Sequence, residues 1–398
     1  MTETVELSFP MSRSCPLSPP PDYERLRQEQ PVARVRTPGG WAWLVTRHAD
    51  VRAVLTDPRF SSDRRHPGFP RLVPGQGMNK QLGPVLVGMN PPEHTAARRA
   101  VLGEFTVKRI QALAPRIQEI VDDHVTAMLA GPRPVDLVQA LSLPVPSLVI
   151  CELLGVPYDD HEFFQERASR MIRRTTPPEQ RAQAVEELRS YLDRLVARKE
   201  QEVTDDLIGR QITKQRETGE VDRGGLVSLA FLLLIAGHET TANMISLGTL
   251  ALLENPDQLA AITADPSRTP AAVEELLRYF SIADAVTARV ATEDVEVGGV
   301  LIRSGEGVIA LSAAANHDPE VFERPGDLDL TRNARGHVAF GFGPHQCLGQ
   351  NLARLELQIV FDTLFRRIPG LRPAVPVAEL PFKDDAAVYG LYEFPVTW

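Results

Sequence analysis

Cysteine is nearly absent from this chain of 398 residues: there are three, Cys15, Cys151 and Cys347. So small a set at irregular spacing argues against a disulfide framework and fits a reducing compartment. Aromatic residues are thin as well, at 6%, and the scattered Trp and Tyr offer no stacking platform for single-stranded nucleic acid. Positive charge is the scarcer sign, with 43 Lys plus Arg against 52 Asp plus Glu and a net charge of −9. That balance argues against bulk attraction to nucleic acid or anionic lipid, and no nucleic-acid partner is expected. The basic residues are nearly all Arg, which suits buried carboxylate pairing better than Lys does. Residues 1–10 carry acidic side chains and no apolar core, so they do not read as a secretory signal. The segment Gln76 to Lys80 lacks the third glycine and the lysine of a phosphate loop. One stretch, residues 226–253, is apolar enough to suggest a membrane span, but His238-Glu239-Thr240-Thr241 occupies its middle. A central carboxylate costs about 2.5–3.5 kcal/mol on insertion scales. A buried helix with a functional centre is the better reading, so no membrane partner is expected and the chain reads as soluble and cytoplasmic.

What the chain has is apolar material, 43% of residues, enough for one large core. Length alone would allow two or three domains of about 150 residues, yet there is no repeat, low-complexity tract or linker. The expectation is one domain over 1–398, mainly α, with a smaller β-rich part drawn from near both ends. Residues 1–21 read as an extended arm and 23–30 as a short helix. Residues 32–35 and 41–45 flank Thr37-Pro38-Gly39-Gly40, a hairpin signal, and 48–55 is helical. Residues 59–87 show no sustained periodicity, which suggests a lid or binding loop. Helices are expected at 92–105, 107–129, 144–154 and 159–173. Residues 178–214 read as charged, amphipathic and solvent-facing. Further helices follow at 226–253, 256–264 and 269–279. A Gly-Gly hairpin spans 295–302, with a strand at 308–311, a helix at about 348–366 and a closing strand pair at 387–396.

Three places interrupt this ordinary patterning. The first is Phe340-Gly-Phe-Gly-Pro-His-Gln-Cys-Leu-Gly349. Its glycines allow backbone to approach a flat partner and tolerate φ > 0. The following helix puts Leu348, Leu352, Leu355, Ile359 and Thr363 on one face. Cys347 thus stands at a helix N-terminus, where unpaired N–H groups favour a thiolate and hence a soft anionic metal ligand. A lone buried Cys is usually only a small hydrophobe, so the weight lies on the spacing. The second is Ala236-Gly-His-Glu-Thr-Thr241, costly inside an apolar helix. Thr240 can bond back to the carbonyl of Ala236 and bend the helix, opening room beside an acid and an alcohol. The bland alternative is a polar packing spot. The third is Glu275-Leu-Leu-Arg278, whose i, i+3 pair is most often a surface salt bridge.

The spacing Phe340, Gly343, Cys347, Gly349 resembles the haem-ligand loop of the cytochrome P450 family. Ala236 to Thr240 resembles that family's oxygen-binding groove, and Glu275 with Arg278 its Glu-x-x-Arg pair, which Arg332 would close into a buried structural triad. The three marks fall in the family's order, and their tone is that of the actinomycete branch. The resemblance implies a triangular, single-domain fold holding haem b through Cys347, with Phe340, Gly341 and Gly349 against the cofactor. His94, Arg98, Arg289 and His345 fall where the family has propionate partners; His337 reads as loop packing. Thr240 would hydrogen-bond dioxygen while Glu239 relays protons, and O2 is the co-substrate. The implied activity is a haem-thiolate monooxygenase that hydroxylates or epoxidises a hydrophobic small molecule, such as a polyketide, macrolide, sterol-like compound or xenobiotic. Pocket walls would come from the loop 71–87 with Val87, from Ile235 and Ala236, from Ala285, Val286 and Thr287, and from the segment 385–389. Electrons would come from a separate ferredoxin and its reductase, docking at Arg109, Arg116, Arg335 and Arg354, on a monomer. The rivals are a haem-thiolate peroxygenase or isomerase, and a haem or hydrophobic-ligand binder without turnover.

Overall fold

The computed structural model describes residues 7–72, 86–173 and 175–398. Residues 73–85 of the expected lid segment 59–87 therefore lie outside the described residues. Helices dominate and the strands come mainly from near the two ends of the chain. The described residues gather into two compact units. One takes in those within Met1–Asn79, Val87–Thr95 and Ala271–Leu348; the other takes in those within Lys80–Leu86, Ala96–Pro270 and Gly349–Trp398. Neither unit is one stretch of chain.

In the first unit the hairpin Val32–Thr37 and Gly40–Val45 pairs antiparallel, with Thr37 opposite Gly40. Gly40–Val45 then pairs parallel with Gly307–Ala310, which pairs antiparallel with Ala288–Ala291, and Phe60–Ser61 closes the edge. The second hairpin, Val295–Val297 with Val300–Ile302, turns at Gly298 and Gly299, both at positive φ (56° and 80°). That is the Gly-Gly turn the sequence asks for. The N-terminal arm is extended but anchored: Phe9 is buried, its N–H donates to Arg36 O, and Arg36 N–H donates to Leu7 O, each at 2.8 Å.

His317 lies in this unit, buried, with Nδ1 2.9 Å from Ala313 O and no partner at Nε2 among the described residues. Burial, and then the charge of Arg278, push its pKa from 6.5 down to about 4. The folded chain therefore holds His317 neutral, while the unfolded chain protonates it nearer the ordinary value. Its contribution to stability is complete above about pH 6.5 and is lost as pH falls toward 4, up to ~3 kcal/mol. Thermal midpoints measured across that window should fall less in His317→Gln than in the parent. An equal fall in both would rule this site out as the acid-sensitive one.

In the second unit the helix expected at 107–129 is two, Val107–Gln111 and Ala114–Ala130, because Pro115 can sit only in a first turn. The 178–214 segment is likewise two helices, Pro178–Gln201 and Leu207–Thr218. It is not uniformly solvent-facing: at the break Lys199 pairs with Asp206 and both are buried. The closing strand pair reduces to one strand, Pro395–Thr397, between Val135–Asp136 and Arg372–Pro373, plus an isolated bridge between Phe382 and Leu391. Pro381 and Pro395 have no N–H to extend a ladder.

The centre of this unit is the helix Arg223–Glu254. It is apolar all round, as a core helix must be, and packs against Pro144–Leu154, Pro178–Gln201 and Gln350–Arg367. By length and hydropathy it could cross a membrane, but neighbouring helices take up much of its apolar surface. Two glycines permit the approach. A Cβ on Gly237 would stand 3.0 Å from Ile150 Cδ1, and one on Gly248 would stand 2.5 Å from Phe361 Cζ.

Candidate active site: a cysteine loop and the centre of the long helix

The three cysteines differ in what they can do. Cys151 is buried, and burial, reinforced by Asp160 and Glu152, pushes its thiol up to about 12; it stays protonated. Cys15 is exposed in the N-terminal arm. Cys347 is exposed too, but in a shaped loop: no residue from Ala339 to Asn351 is buried, although both flanks are. Gly341 and Gly343 sit at φ 70° and 72°, Gly343–His345 makes one helical turn, and Cys347 N–H donates to Phe340 O at 2.8 Å. Gly343 is also required by contact, since a Cβ there would lie 2.8 Å from Thr56 Cγ2.

The helix that follows, Gln350–Arg367, starts later than expected, with Gly349 at its N-cap. Cys347 therefore stands ahead of the helix and not within its first turn. Leu352, Leu355 and Thr363 are buried, but Leu348 and Ile359 only in part, and Leu357, Val360, Phe361, Leu364 and Phe365 are buried as well. The helix is enclosed on most sides and has no single apolar stripe. Gly349 is the telling position. Its φ of −82° suits any residue, and a Cβ there would meet nothing within 4 Å. Nothing among the described residues demands glycine there, and a flat bound group would.

A cationic cluster lies in the unit that carries Cys347. His94 is buried and its ring stacks on that of His345, centroids 3.9 Å apart; His345 Nε2 is 3.1 Å from Ser62 Oγ. Arg289 is 6% exposed, and its recorded hydrogen bond goes to the neighbouring carbonyl of Ala288. Burial, and then the charge of Arg64, pull its pKa down to about 10. Burial lowers Arg64 too, although that residue as a whole keeps exposed surface. Two crowded guanidiniums with no recorded carboxylate between them, among the described residues, call for an anion. Haem brings two carboxylates, a flat ring and an iron that takes thiolate, so this donor set fits it. Arg98 lies four residues beyond His94 on helix Glu93–Leu102 and is partly buried.

In the long helix, Thr240 Oγ1 donates to Ala236 O at 2.7 Å and Thr241 Oγ1 to Gly237 O at 3.2 Å. The backbone nevertheless stays helical from Arg223 to Glu254, so the expected opening is not a break. Packing against Ile150 holds the Gly237 turn in place. Two strips run side by side here. Ala236 is exposed, with Ile235 and Thr240 partly so; Glu239 and Asn243 are buried one turn apart. Sequence reading missed the partner of this second strip. Lys383 Nζ donates to Asn243 Oδ1 at 2.9 Å and lies 3.3 Å from Glu239 Oε1. Its segment, Pro-Phe-Lys-Asp, carries no signal that could have found it. Arg64 and Ser62 were missed for the same reason.

Glu275, Arg278 and Arg332 form one network: Arg278 Nε to Glu275 Oε2 at 2.7 Å and Arg332 Nε to Glu275 Oε1 at 3.1 Å. His337 packs in its loop and meets Glu274 at 3.1 Å. Of the wall residues, Val87 and Val286 are exposed (37% and 45%) while Ala285 is buried. In the segment 385–389, Val388 and Tyr389 are buried, and Asp385 is bonded to Tyr392 and Thr175. Arg109 and Arg335 are exposed, Arg354 bonds Gln350, and Arg116 is already paired with Glu152 and Glu119.

Comparison with known proteins shows the family to which the chain belongs. The family profile described as cytochrome P450 matches residues 20–368. Pentalenic acid synthase of Streptomyces avermitilis is 51% identical over 99% of this chain and 98% of its own. The crystal structure of cytochrome P450 MoxA from Nonomuraea recticatena superposes with a TM-score of 0.92 at 61% identity, covering 98% of each chain. That of CYP105P1 in complex with filipin I gives 0.94 at 47%, covering 99% of each. The chain belongs to the cytochrome P450 family and is a haem-thiolate monooxygenase that uses O2.

Proposed function

We propose that this enzyme inserts one oxygen atom of O2 into a C–H bond, or across an alkene, of a hydrophobic small molecule of polyketide, macrolide, sterol-like or xenobiotic type. One observation carries the site assignment. Of three cysteines, Cys347 alone is held accessible in a glycine-shaped loop without a buried neighbour. The substrate class rests on relatives whose names record pentalenic acid synthesis and filipin I binding.

Haem b, when bound, supplies the reductive activation of O2. The chain's own residues do the rest. Cys347 Sγ, deprotonated, offers an anionic sulfur donor. Phe340, Gly341 and Gly349 leave room for the ring. His94, Arg98, Arg289 and His345, joined by Arg64, neutralise the two carboxylates, which would be costly to bury unpaired. Thr240 donates its hydroxyl hydrogen to Ala236 O and keeps its lone pairs as acceptors. Glu239 holds and returns a proton. Val87, Ile235, Ala236, Ala285 and Val286 supply apolar wall. Electrons arrive from a ferredoxin and its reductase, with Arg109 and Arg335 better placed to dock them than Arg116, whose charge is already paired. The enzyme works as a cytoplasmic monomer.

The test is Thr240→Ala. Product formed per NAD(P)H should fall by about tenfold or more, with the missing electrons recovered as hydrogen peroxide and the haem spectrum kept. NAD(P)H-driven product formation that survives Thr240→Ala with no added uncoupling would favour the peroxygenase or isomerase reading instead.

A further inference from the structure

We propose that Lys383 is a positioning residue for the proton-handling carboxylate of Glu239, an inference that rests on the role assigned to Glu239 above. Its ammonium lies 3.3 Å from Glu239 Oε1 and 2.9 Å from Asn243 Oδ1, and the three side chains are buried, Lys383 at 6% and Glu239 at 5% exposure. Lysine is almost never buried this far unless it is paired, and a buried charge that loses its partner is strongly destabilised.

The contact is built from the backbone outward. Residues 381–392 close on themselves: Lys383 N–H donates to Gly390 O and Tyr392 N–H to Pro381 O, both at 2.9 Å, with the Phe382–Leu391 bridge between them. Gly390 lies hard against the long helix, where a Cβ would fall 2.0 Å from Asn243 Oδ1. Its φ lies outside the left-handed region, so contact, not conformation, asks for glycine. The Tyr392 ring is 5.5 Å from the ammonium, and its hydroxyl is fixed by Asp385 at 2.6 Å. Asp385 in turn accepts from Thr175 at 3.0 Å. The Lys383 side chain is therefore held from several sides.

What it holds is one oxygen of Glu239. The other, Oε2, is buried and has no partner among the described residues. A side chain that passes protons needs three things here: a donor beside it, one oxygen anchored, and one uncommitted. The Lys383–Glu239–Asn243 arrangement provides all three. A plain structural tie between this segment and the helix would need the first two but not the third, so the uncommitted oxygen is what sets this contact apart.

The experiment uses Lys383→Met and Lys383→Arg in the full holoenzyme, each with and without Glu239→Gln. Lys383→Met should keep its haem and its thiolate-type CO spectrum, lose roughly tenfold in product per NAD(P)H, and show a larger solvent isotope effect on turnover. Lys383→Arg should restore most of the yield. In the Glu239→Gln background, Lys383→Met should cost nothing further. An activity-independent readout is the infrared difference between the parent and Glu239→Gln: the Glu239 carboxyl bands it isolates should shift in the Lys383→Met background, where the anchored oxygen has lost its ammonium partner.

If Glu239→Gln alone leaves yield and isotope effect at parent values, the role of Glu239 fails, and the positioning role with it. If Glu239→Gln lowers the yield but Lys383→Met does not, or adds its own loss on top, only the positioning role is overturned. Should Lys383→Met not accumulate as holoenzyme, Asn243→Ala probes the same contact, and its loss must likewise vanish in the Glu239→Gln background.

Discussion

Cys347→Ser is expected to give a folded protein that turns over at least a thousandfold more slowly, a barrier raised by about 4 kcal/mol. Folding should survive because the loop is shaped by the backbone. The bond from Cys347 N–H to Phe340 O and the positive φ of Gly341 and Gly343 do not depend on the sulfur. The chemistry should not survive. A serine hydroxyl stays protonated at neutral pH and is a harder donor than thiolate, so the electron density that favours O–O cleavage is lost. The direct readout is the ferrous CO adduct, whose long-wavelength Soret band should vanish. Cys15→Ser and Cys151→Ala should leave it in place, the latter because burial pushes the Cys151 thiol up to about 12. An unaltered spectrum with full turnover in Cys347→Ser would remove sulfur ligation from that residue.

The contrast between Cys347 and Lys383 shows what a single sequence reveals of such a site. Cys347, Gly341, Gly343 and the Ala236–Thr241 stretch are legible because each breaks a local rule: glycine where a helix or strand would exclude it, an acid and hydroxyls inside an apolar run. The back-bond from Thr240 to Ala236 followed from helix geometry alone. Lys383 and Arg64 break no local rule. Each meets its partners only through tertiary contact: Lys383 is 144 residues from Glu239, and no periodicity spans that distance. The same division runs through the fold. Helix Pro256–Ala264 and the hairpin at 295–302 lie where pattern and turn chemistry put them. Structure and pattern part where a local signal is overridden. Pro115 can lie only in a first turn, so it splits an apolar periodicity that otherwise runs through 107–129. The charged 178–214 stretch hid the buried Lys199–Asp206 pair at its break. At 387–396 apolar residues were read as a ladder, although they pack with almost no strand pairing.

Glu275 and Arg278 carry the second large expected effect, and it falls on stability. Both side chains are 0% exposed. Arg278 donates Nε and Nη2 to the two oxygens of Glu275, each at 2.7 Å, and Nη1 to Asn316 O at 2.8 Å and Pro325 O at 2.9 Å. Glu275 Oε1 also accepts from Asp329 N–H and Arg332 Nε, both at 3.1 Å. An isolated i, i+3 surface pair contributes only tenths of a kcal/mol. This one is different because no water can replace the missing partner. Arg278→Met leaves a buried carboxylate facing Arg332 alone and two carbonyls without donors, a loss of about 3–5 kcal/mol out of a total stability of about 5–15 kcal/mol. Little holoenzyme should accumulate, and what does should melt many degrees lower. Arg278→Lys should rescue poorly, since one ammonium cannot reproduce a planar fork bonded on two sides. Glu275→Leu/Arg278→Met removes both charges together and should be more stable than Arg278→Met alone, because no carboxylate is then stranded. Thermal midpoints of the three variants decide it: a double variant no more stable than Arg278→Met would mean that the lost carbonyl bonds, and not the uncompensated charge, dominate the loss.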